Sequence, residues 1–436
     1  MPLPSTPPGA GPSKRTREGG RPVADFVIEH ADVIATSKSP APKRGAAQHH
    51  FFRQRESLVA SRDGIIVFVG RRDEASAAID IAPTATRVDA TGCTVIPGFV
   101  DPHTHAVYAG NRDNELRQRL DGATYEEIAA GGGGINATVA ATRAASEDAL
   151  VEAARPRLDA MLASGTTTCE IKSGYGLTLD SELKMLRAIR RLGAEHAIDV
   201  VATFLGAHEV PPEFRERRQD YVTTIVNEMI PRVAAEKLAD WCDVFCDRGY
   251  FSVGESVAIL EAGARAGLSP RLHADELASS GGCRVAATVR ARSADHLIHV
   301  DDDGIDELSR AETCAVLLPI AAFYLRLGFA PARRLIERHV PVALATDVNP
   351  GGGLSPSMPF AIALACFGMH MTLEEALVAA TLNAAWSLDL AEHVGSLEAG
   401  KQMDAVLIRG SLMELLRVGV PCVHGVIKRG RVVLPH

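Results

Sequence analysis

Eight apolar segments, separated by stretches of mixed polarity, set the strongest constraint on how this chain folds. They lie at residues 94–100, 166–171, 200–205, 241–246, 270–273, 294–299, 314–319 and 342–346. Between them, residues 181–192, 219–238, 253–266, 281–291 and 332–338 carry apolar side chains at helical spacing. Short, nearly continuous apolar strands alternating with amphipathic helices suit a parallel sheet covered by helices. Eight such units predict an α/β fold, a TIM-like (β/α)8 barrel. In that barrel the chemistry sits at the C-terminal ends of the strands.

The chain, at 436 residues, is long enough for a barrel and a smaller unit. Ahead of the barrel, residues 26–36, 65–70 and 88–95 have short-strand character around a polar insertion at 37–56. Behind it, helices over 358–367 and 372–386 lead to β pieces at Gly395, Leu397, 404–408, 425–428 and 431–434. The two ends are expected to pair into a composite β domain, 23–93 with 390–436, beside a barrel over 94–389. Residues 1–22 are rich in Pro, Gly, Ser and Arg and predict a disordered basic tail. The run Gly131-Gly132-Gly133-Gly134 lacks a preceding strand and a phosphate-binding lysine, which makes it a lid candidate and not a nucleotide loop.

Composition removes several function classes. A net charge of -8 argues against a nucleic-acid partner. The longest apolar run, 314–325, is too short to cross a membrane and predicts a buried strand with its exit loop. The start of the chain has no apolar leader, which together with the cysteine pattern points to the cytoplasm. The eight cysteines sit mostly in apolar runs, as small buried hydrophobes of a reducing compartment do. Cys242 and Cys246 have no second Cys/His pair at zinc-finger spacing.

The strand ends carry the chemistry. The first apolar run ends in Asp101-Pro102-His103-Thr104-His105, and i, i+2 spacing on an extended chain turns both imidazoles to one side. The fifth run ends at His273, the sixth carries His296 and the eighth leads into Asp347. Imidazoles and a carboxylate of this kind suit zinc or a similar divalent ion with one position left for water, whose pKa then falls to roughly 7. Glu276, three residues past His273, is placed to shuttle a proton, and His296 to polarise a carbonyl.

This set resembles the amidohydrolase superfamily, with H-x-H on strand one, His on strands five and six and Asp on strand eight. Binuclear members add a lysine on strand four. Strand four here, Trp241-Cys242-Asp243-Val244-Phe245-Cys246, has none, which favours one ion. Within the superfamily the chain is similar to the imidazolonepropionase family from about Ala24 onward. The likeness rests on 97–105, Glu170-Ile171-Lys172-Ser173-Gly174-Tyr175-Gly176-Leu177, Phe204-Leu205-Gly206-Ala207-His208, His273-Ala274-Asp275-Glu276, 293–297 and Asp347-Val348-Asn349-Pro350-Gly351.

The resemblance implies hydrolysis of a cyclic amide, 4-imidazolone-5-propanoate, to N-formimidoyl-L-glutamate. It implies one zinc or iron ion per subunit on His103, His105, His273 and Asp347, and a homodimer. It implies substrate contacts at Arg112, Tyr175, His208, Glu276, Asn349, Gly351 and Gly352. A guanidinium seven residues past His105 suits the substrate's propionate. The family usually follows Asn-Pro-Gly with Ser or Thr. This chain has Gly352 and Gly353, whose amides remain available as an anion nest. The same ligand set also serves a cytosine- or guanine-type deaminase, or an interaction barrel that has lost its metal. A neutral base needs no propionate clamp, so Arg112 and Tyr175 separate the first two readings.

Overall fold

The computed structural model describes residues 20–123, 127 and 133–434. Most of the tail expected at 1–22 lies outside the described residues, as do Gly131 and Gly132 of the glycine run. The chain opens with β1 (Val23–Thr36), β2 (Phe52–Arg62), β3 (Ile65–Arg71), β4 (Asp80–Asp89) and β5 (Cys93–Pro97). Next come β6 (Phe99–Asp101), β7 (Thr166–Lys172), β8 (Asp199–Ala207), β9 (Trp241–Cys246), β10 (Ser269–Pro270) and β11 (Leu272–Ala274). They are followed by β12 (Ser293–His296), β13 (Cys314–Leu317) and β14 (Val342–Leu344). Last are β15 (Ala405–Arg409), β16 (Val423–Lys428) and β17 (Arg431–Leu434).

β6 to β14 form the barrel. Its order is β6-β7-β8-β9-β11-β12-β13-β14, every pair parallel, with β10 lying beside β9. The seam between last and first strands closes just past their ends. Asp347 N donates to His103 O (3.0 Å) and His105 N to Val348 O (2.9 Å). The Asp101 carboxylate accepts from Thr346 N (3.0 Å) and Oγ1 (2.5 Å). Helices Leu179–Glu195, Val253–Arg265 and Asp302–Ala311 start at Thr178, Ser252 and Asp301, whose side chains accept from the first turn. Their apolar faces and the outer faces of the strands make the main core. Among the described residues no helix is long and apolar enough to cross a membrane.

The second sheet gathers both chain ends in the order β17-β16-β15-β5-β1-β2-β3, with β4 paired to β1. Lys428 on β16 reaches Asp404 (2.5 Å) and Asp199 (2.7 Å), the first residue of β8, and so ties this sheet to the N-terminal end of the barrel.

Several elements differ from their sequence pattern. The apolar run 94–100 is two strands, because Gly98 turns the chain from one sheet to the other. A Cβ at Gly98 would run into the Thr167 side chain, so only glycine fits this crossing. The run 314–325 leaves its strand through a helix, Pro319–Leu325, whose first residue is a proline suited to that position. The stretch 372–386 is two helices, Leu373–Ala379 and Leu382–Ser387, broken at Thr381, whose hydroxyl donates back to Leu377 O (2.6 Å). Residues 219–238 are interrupted by a π-turn at Ile225–Met229. Gly395 and Leu397 lie outside any strand. The expected 37–56 insertion is shorter than its polarity suggests: residues 52–56 belong to β2, and ahead of them a single turn, Gly45–His49, docks on the barrel, where buried Gln48 donates to Val342 O (3.1 Å) at the N-terminal end of β14.

Candidate active site and metal centre

His103 and His105 lie just beyond β6, on a segment kept extended by the seam hydrogen bonds. His273 is central in β11 and His296 ends β12. All four rings are buried and converge: His103 and His273 have centroids 4.5 Å apart, and His273 and His296 5.3 Å. The nitrogens of His103, His105 and His273 form one close group. Asp347 Oδ1 lies 3.6 Å from Nε2 of both His103 and His105. His105 Nε2 and His273 Nε2 face each other at 3.3 Å.

The residues around the cluster fix which nitrogens point inward. His103 Nδ1 donates to Asp295 (2.6 Å) and His273 Nδ1 donates to Asp243 (3.0 Å). A carboxylate only accepts, so both rings present an unprotonated Nε2 to the centre. His103 Nε2 is buried without a hydrogen-bond partner in the described protein. Such an atom is costly unless a cation takes it. The donor set of three imidazoles and one carboxylate therefore fits a divalent ion. Burial, and then mutual repulsion among the rings and Lys172, drives His103 and His105 well below the usual imidazole value. Neutral imidazole is the form that binds metal.

Beneath the histidine cluster runs a charged layer. Lys172 Nζ sits 2.9 Å from Glu170, 2.7 Å from Asp243 and 3.9 Å from Asp295, all fully buried. Arg271 completes it, 3.4 Å from Asp295 and 3.8 Å from Glu170. Burial alone raises the Asp243 carboxyl, but the pull of His273 and Lys172 prevails and holds it well below the carboxylate range. Lys172 is thus committed to carboxylates.

Glu276 and His296 face each other across the mouth, Oε2 to Nε2 3.7 Å. Burial, then Asp347 and Asp247, pushes the Glu276 carboxyl well above its usual value. The loop behind Glu276 is pinned by Asp247, which accepts from Leu277 N (2.7 Å) and Ser280 Oγ (2.6 Å). Asp275, His296, Leu297 and Asp347 all have positive φ, between 51° and 75°, so backbone strain is gathered at this ring of residues.

Above the cluster opens a cavity of about 640 Å³, lined by Arg112, Tyr175, His208, Asn349, Gly351 and Gly352 with Glu276, His105, His273, His296 and Asp347. His208 stacks on His105 at 5.0 Å, and Tyr175 lies 5.2 Å from His208. Burial holds His208 down at about 3, so its ring is neutral. Arg112 is buried, donates from Nε to Glu115 (2.8 Å) and lies against Gly351, where a Cβ would run into the guanidinium.

A model of the Amidohydrolase family matches residues 254–433. The chain is 47% identical over 418 residues to the imidazolonepropionase of Symbiobacterium thermophilum, covering 95% of this chain and 98% of that protein. It is 48% identical over 375 residues to the imidazolonepropionase of Geobacillus kaustophilus, covering 85% and 88%. The chain belongs to the imidazolonepropionase family. Among solved structures, 5-methylcytosine deaminase from Klebsiella pneumoniae liganded with 5-fluorocytosine superposes with TM-score 0.71 at 17% identity, covering 94% of this chain and 98% of that one. A zinc-bound adenosine deaminase from Xanthomonas campestris superposes with TM-score 0.68 at 16% identity, covering 95% and 94%. At such identity these two share the fold and carry no more.

In this imidazolonepropionase-family chain the loop 349–353 differs from an open anion nest. Asn349 Oδ1 accepts from Gly351 N (2.8 Å) and Gly352 N (2.7 Å), while its Nδ2 donates to Asp347 O (2.7 Å). Asn349 thus folds the loop next to Asp347. Sequence reasoning passed over Asp243, Asp295, Arg271 and Glu115. For Asp243 and Asp295 a signal existed: each is a charge inside an otherwise apolar strand, where an unpaired charge is too costly to keep. The Cys242 thiol packs under Gly263 of the helix Val253–Arg265, on the face away from Asp243, and all eight cysteines are free.

Proposed function

We propose that the chain hydrolyses the cyclic amide of 4-imidazolone-5-propanoate to N-formimidoyl-L-glutamate, using one zinc or iron ion per subunit. The observation that carries this reading is the joining of two features in one cavity. His105, His273 and Asp347 line its floor with His103 in the same close group behind them, and Arg112 stands at its wall against Gly351. The first fits carbonyl hydrolysis, and the second fits a ligand with a carboxylate.

His103, His105, His273 and Asp347 would hold the ion, which supplies Lewis acidity towards the amide carbonyl and acidifies water. Glu276 accepts a proton from the attacking water and delivers it to the ring nitrogen as the carbon–nitrogen bond breaks. Its raised affinity for a proton suits it to carry one between two partners. Neutral His296, 3.7 Å from Glu276, is placed to donate a hydrogen bond to the substrate oxygen. Arg112 pairs with the propionate, while Tyr175 and His208 bound the ring. Asn349, Gly351 and Gly352 shape the wall opposite.

A composite β domain (23–93 with 390–436) carries a barrel over 94–389. The protein works in the cytoplasm, which its free, mostly buried thiols suit. It works as a homodimer.

The test is turnover of freshly generated imidazolone propanoate by the zinc- or iron-loaded protein, followed by loss of the ring's ultraviolet absorbance. Cytosine and guanine serve as competing substrates. Deamination of either, with the imidazolone untouched, would overturn the substrate while leaving the metal centre standing.

A further inference from the structure

Glu182 is a fully buried carboxylate in the first turn of the helix Leu179–Glu195. A first-turn glutamate ordinarily faces water, where the helix N-terminus favours its charge. Here the side chain turns inward, and its hydrogen-bond partners include three backbone amides of one loop. Oε2 accepts from Gly174 N (3.1 Å), and Oε1 accepts from Gly176 N (2.8 Å) and Leu177 N (2.8 Å). Arg143 holds the carbonyls of the same loop, donating to Gly176 O (2.6 Å) and Leu177 O (3.2 Å). The loop cannot relax easily. Gly174 has φ +104°, Leu177 has φ +53°, and a Cβ at Gly176 would lie 2.6 Å from Glu182 N.

Two cavity residues depend on that loop. Tyr175 sits at its tip, 2% exposed, with its ring 5.8 Å from His105. Gly174 O accepts from His208 Nδ1 at 2.9 Å. A carbonyl only accepts, so the proton is on Nδ1 and the lone pair on Nε2. No other described contact to the His208 ring nitrogens sets this choice.

We infer that Glu182 is a positioning residue for substrate recognition: by gathering the amides of Gly174, Gly176 and Leu177 it sets both the Tyr175 ring and the tautomer of His208. The inference rests on the proposed function only for the ligand that Tyr175 and His208 meet. It assigns a role to a residue that touches neither ligand nor metal.

E182Q is nearly isosteric, but its amide NH₂ can face Gly174 N–H donor to donor. Zinc-loaded E182Q is expected to keep the parent's metal content and kcat within about three-fold. Its KM should rise about ten-fold, the scale of one buried donor left without an acceptor. In a Tyr175→Ala/His208→Ala background the same change should shift KM less than two-fold. A second readout needs no substrate: two-bond ¹H–¹⁵N spectra of His208 should show a single Nδ1-protonated ring in the parent and a mixture in E182Q. If E182Q does not fold, E182D, which keeps the carboxylate on a shorter stem, is read by the same spectrum. An unchanged His208 spectrum in the folded variant, or an equal KM cost in both backgrounds, overturns the inference. A parent that ignores imidazolone propanoate overturns the proposed function instead, and the spectrum still decides the role of Glu182.

Discussion

At the scale of single residues, burial raises the proton affinity of two carboxylates in the cavity, Glu276 and Asp347. Asp347 is pushed up to about 7, chiefly by desolvation. It must lose its proton to ligate, so ion uptake releases protons and apparent affinity rises with pH from about 5 to about 8. Calorimetry of zinc uptake in buffers of differing ionisation enthalpy measures this, and uptake without proton release below pH 7 contradicts it. The sign for stability is opposite in the ion-free protein. The folded carboxyl holds a proton that the unfolded chain, with its value near 3.8, releases, so the ion-free fold gains stability as pH falls from about 7 towards 4. Glu276→Gln should leave the ion bound and lower kcat by roughly 10²–10⁴-fold, the usual worth of a general acid–base group. Arg112→Lys and Arg112→Ala should raise KM more than they lower kcat, at a cost of about 1.5–3 kcal/mol, with metal content unchanged. Turnover by Arg112→Ala equal to the parent's rules out the clamp.

At the scale of elements, Gly98 is the point where one strand serves two sheets. Gly98→Ala forces a methyl against Thr167 and should cost about 1–3 kcal/mol, read as a fall in the denaturation midpoint at unchanged slope. A stability equal to the parent's means that the two sheets have room to part. The same residue shows where the sequence falls silent. An apolar run announces a strand, but nothing in 94–100 states that its halves pair with different partners. The convergence of His103, His105, His273 and Asp347 was legible because each lies at the end of an apolar run, and a barrel collects strand ends by rule. The charged layer was legible only in part: Asp243 and Asp295 stand out as charges inside apolar strands, but their partners, Lys172 and Arg271 among them, come from other strands. Glu182 was hidden differently: in sequence it is an ordinary first-turn acid, and only its burial separates it from a solvated one. Thr381 breaks a helix although the apolar spacing runs through it, because its hydroxyl bonds Leu377 O.

At the scale of the molecule, the second sheet is anchored to the barrel by charge as well as by apolar contact. Lys428 is 4% exposed and serves Asp404 and Asp199 together. Lys428→Met should cost about 3–5 kcal/mol, because it leaves the buried Asp404 without its cation. Lys428→Met with Asp404→Leu should recover most of that loss. A double variant as unstable as the single one shows that packing, and not the stranded charge, is what the lysine protects. Guanidinium melts of the metal-loaded parent and the two variants decide between these outcomes.

The barrel seam has a consequence for the order in which the protein comes into being. Asp101 and Thr346, which clasp it, are 245 positions apart, and the ligand-bearing backbones of His103 and Asp347 are bonded across the same join. Synthesis delivers one side of the clasp early and the other near the end. A growing chain therefore cannot complete the proposed donor set while the ribosome is still making the first seven strands, and the unfinished protein offers the cell's metal pool His103, His105 and His273 but not Asp347.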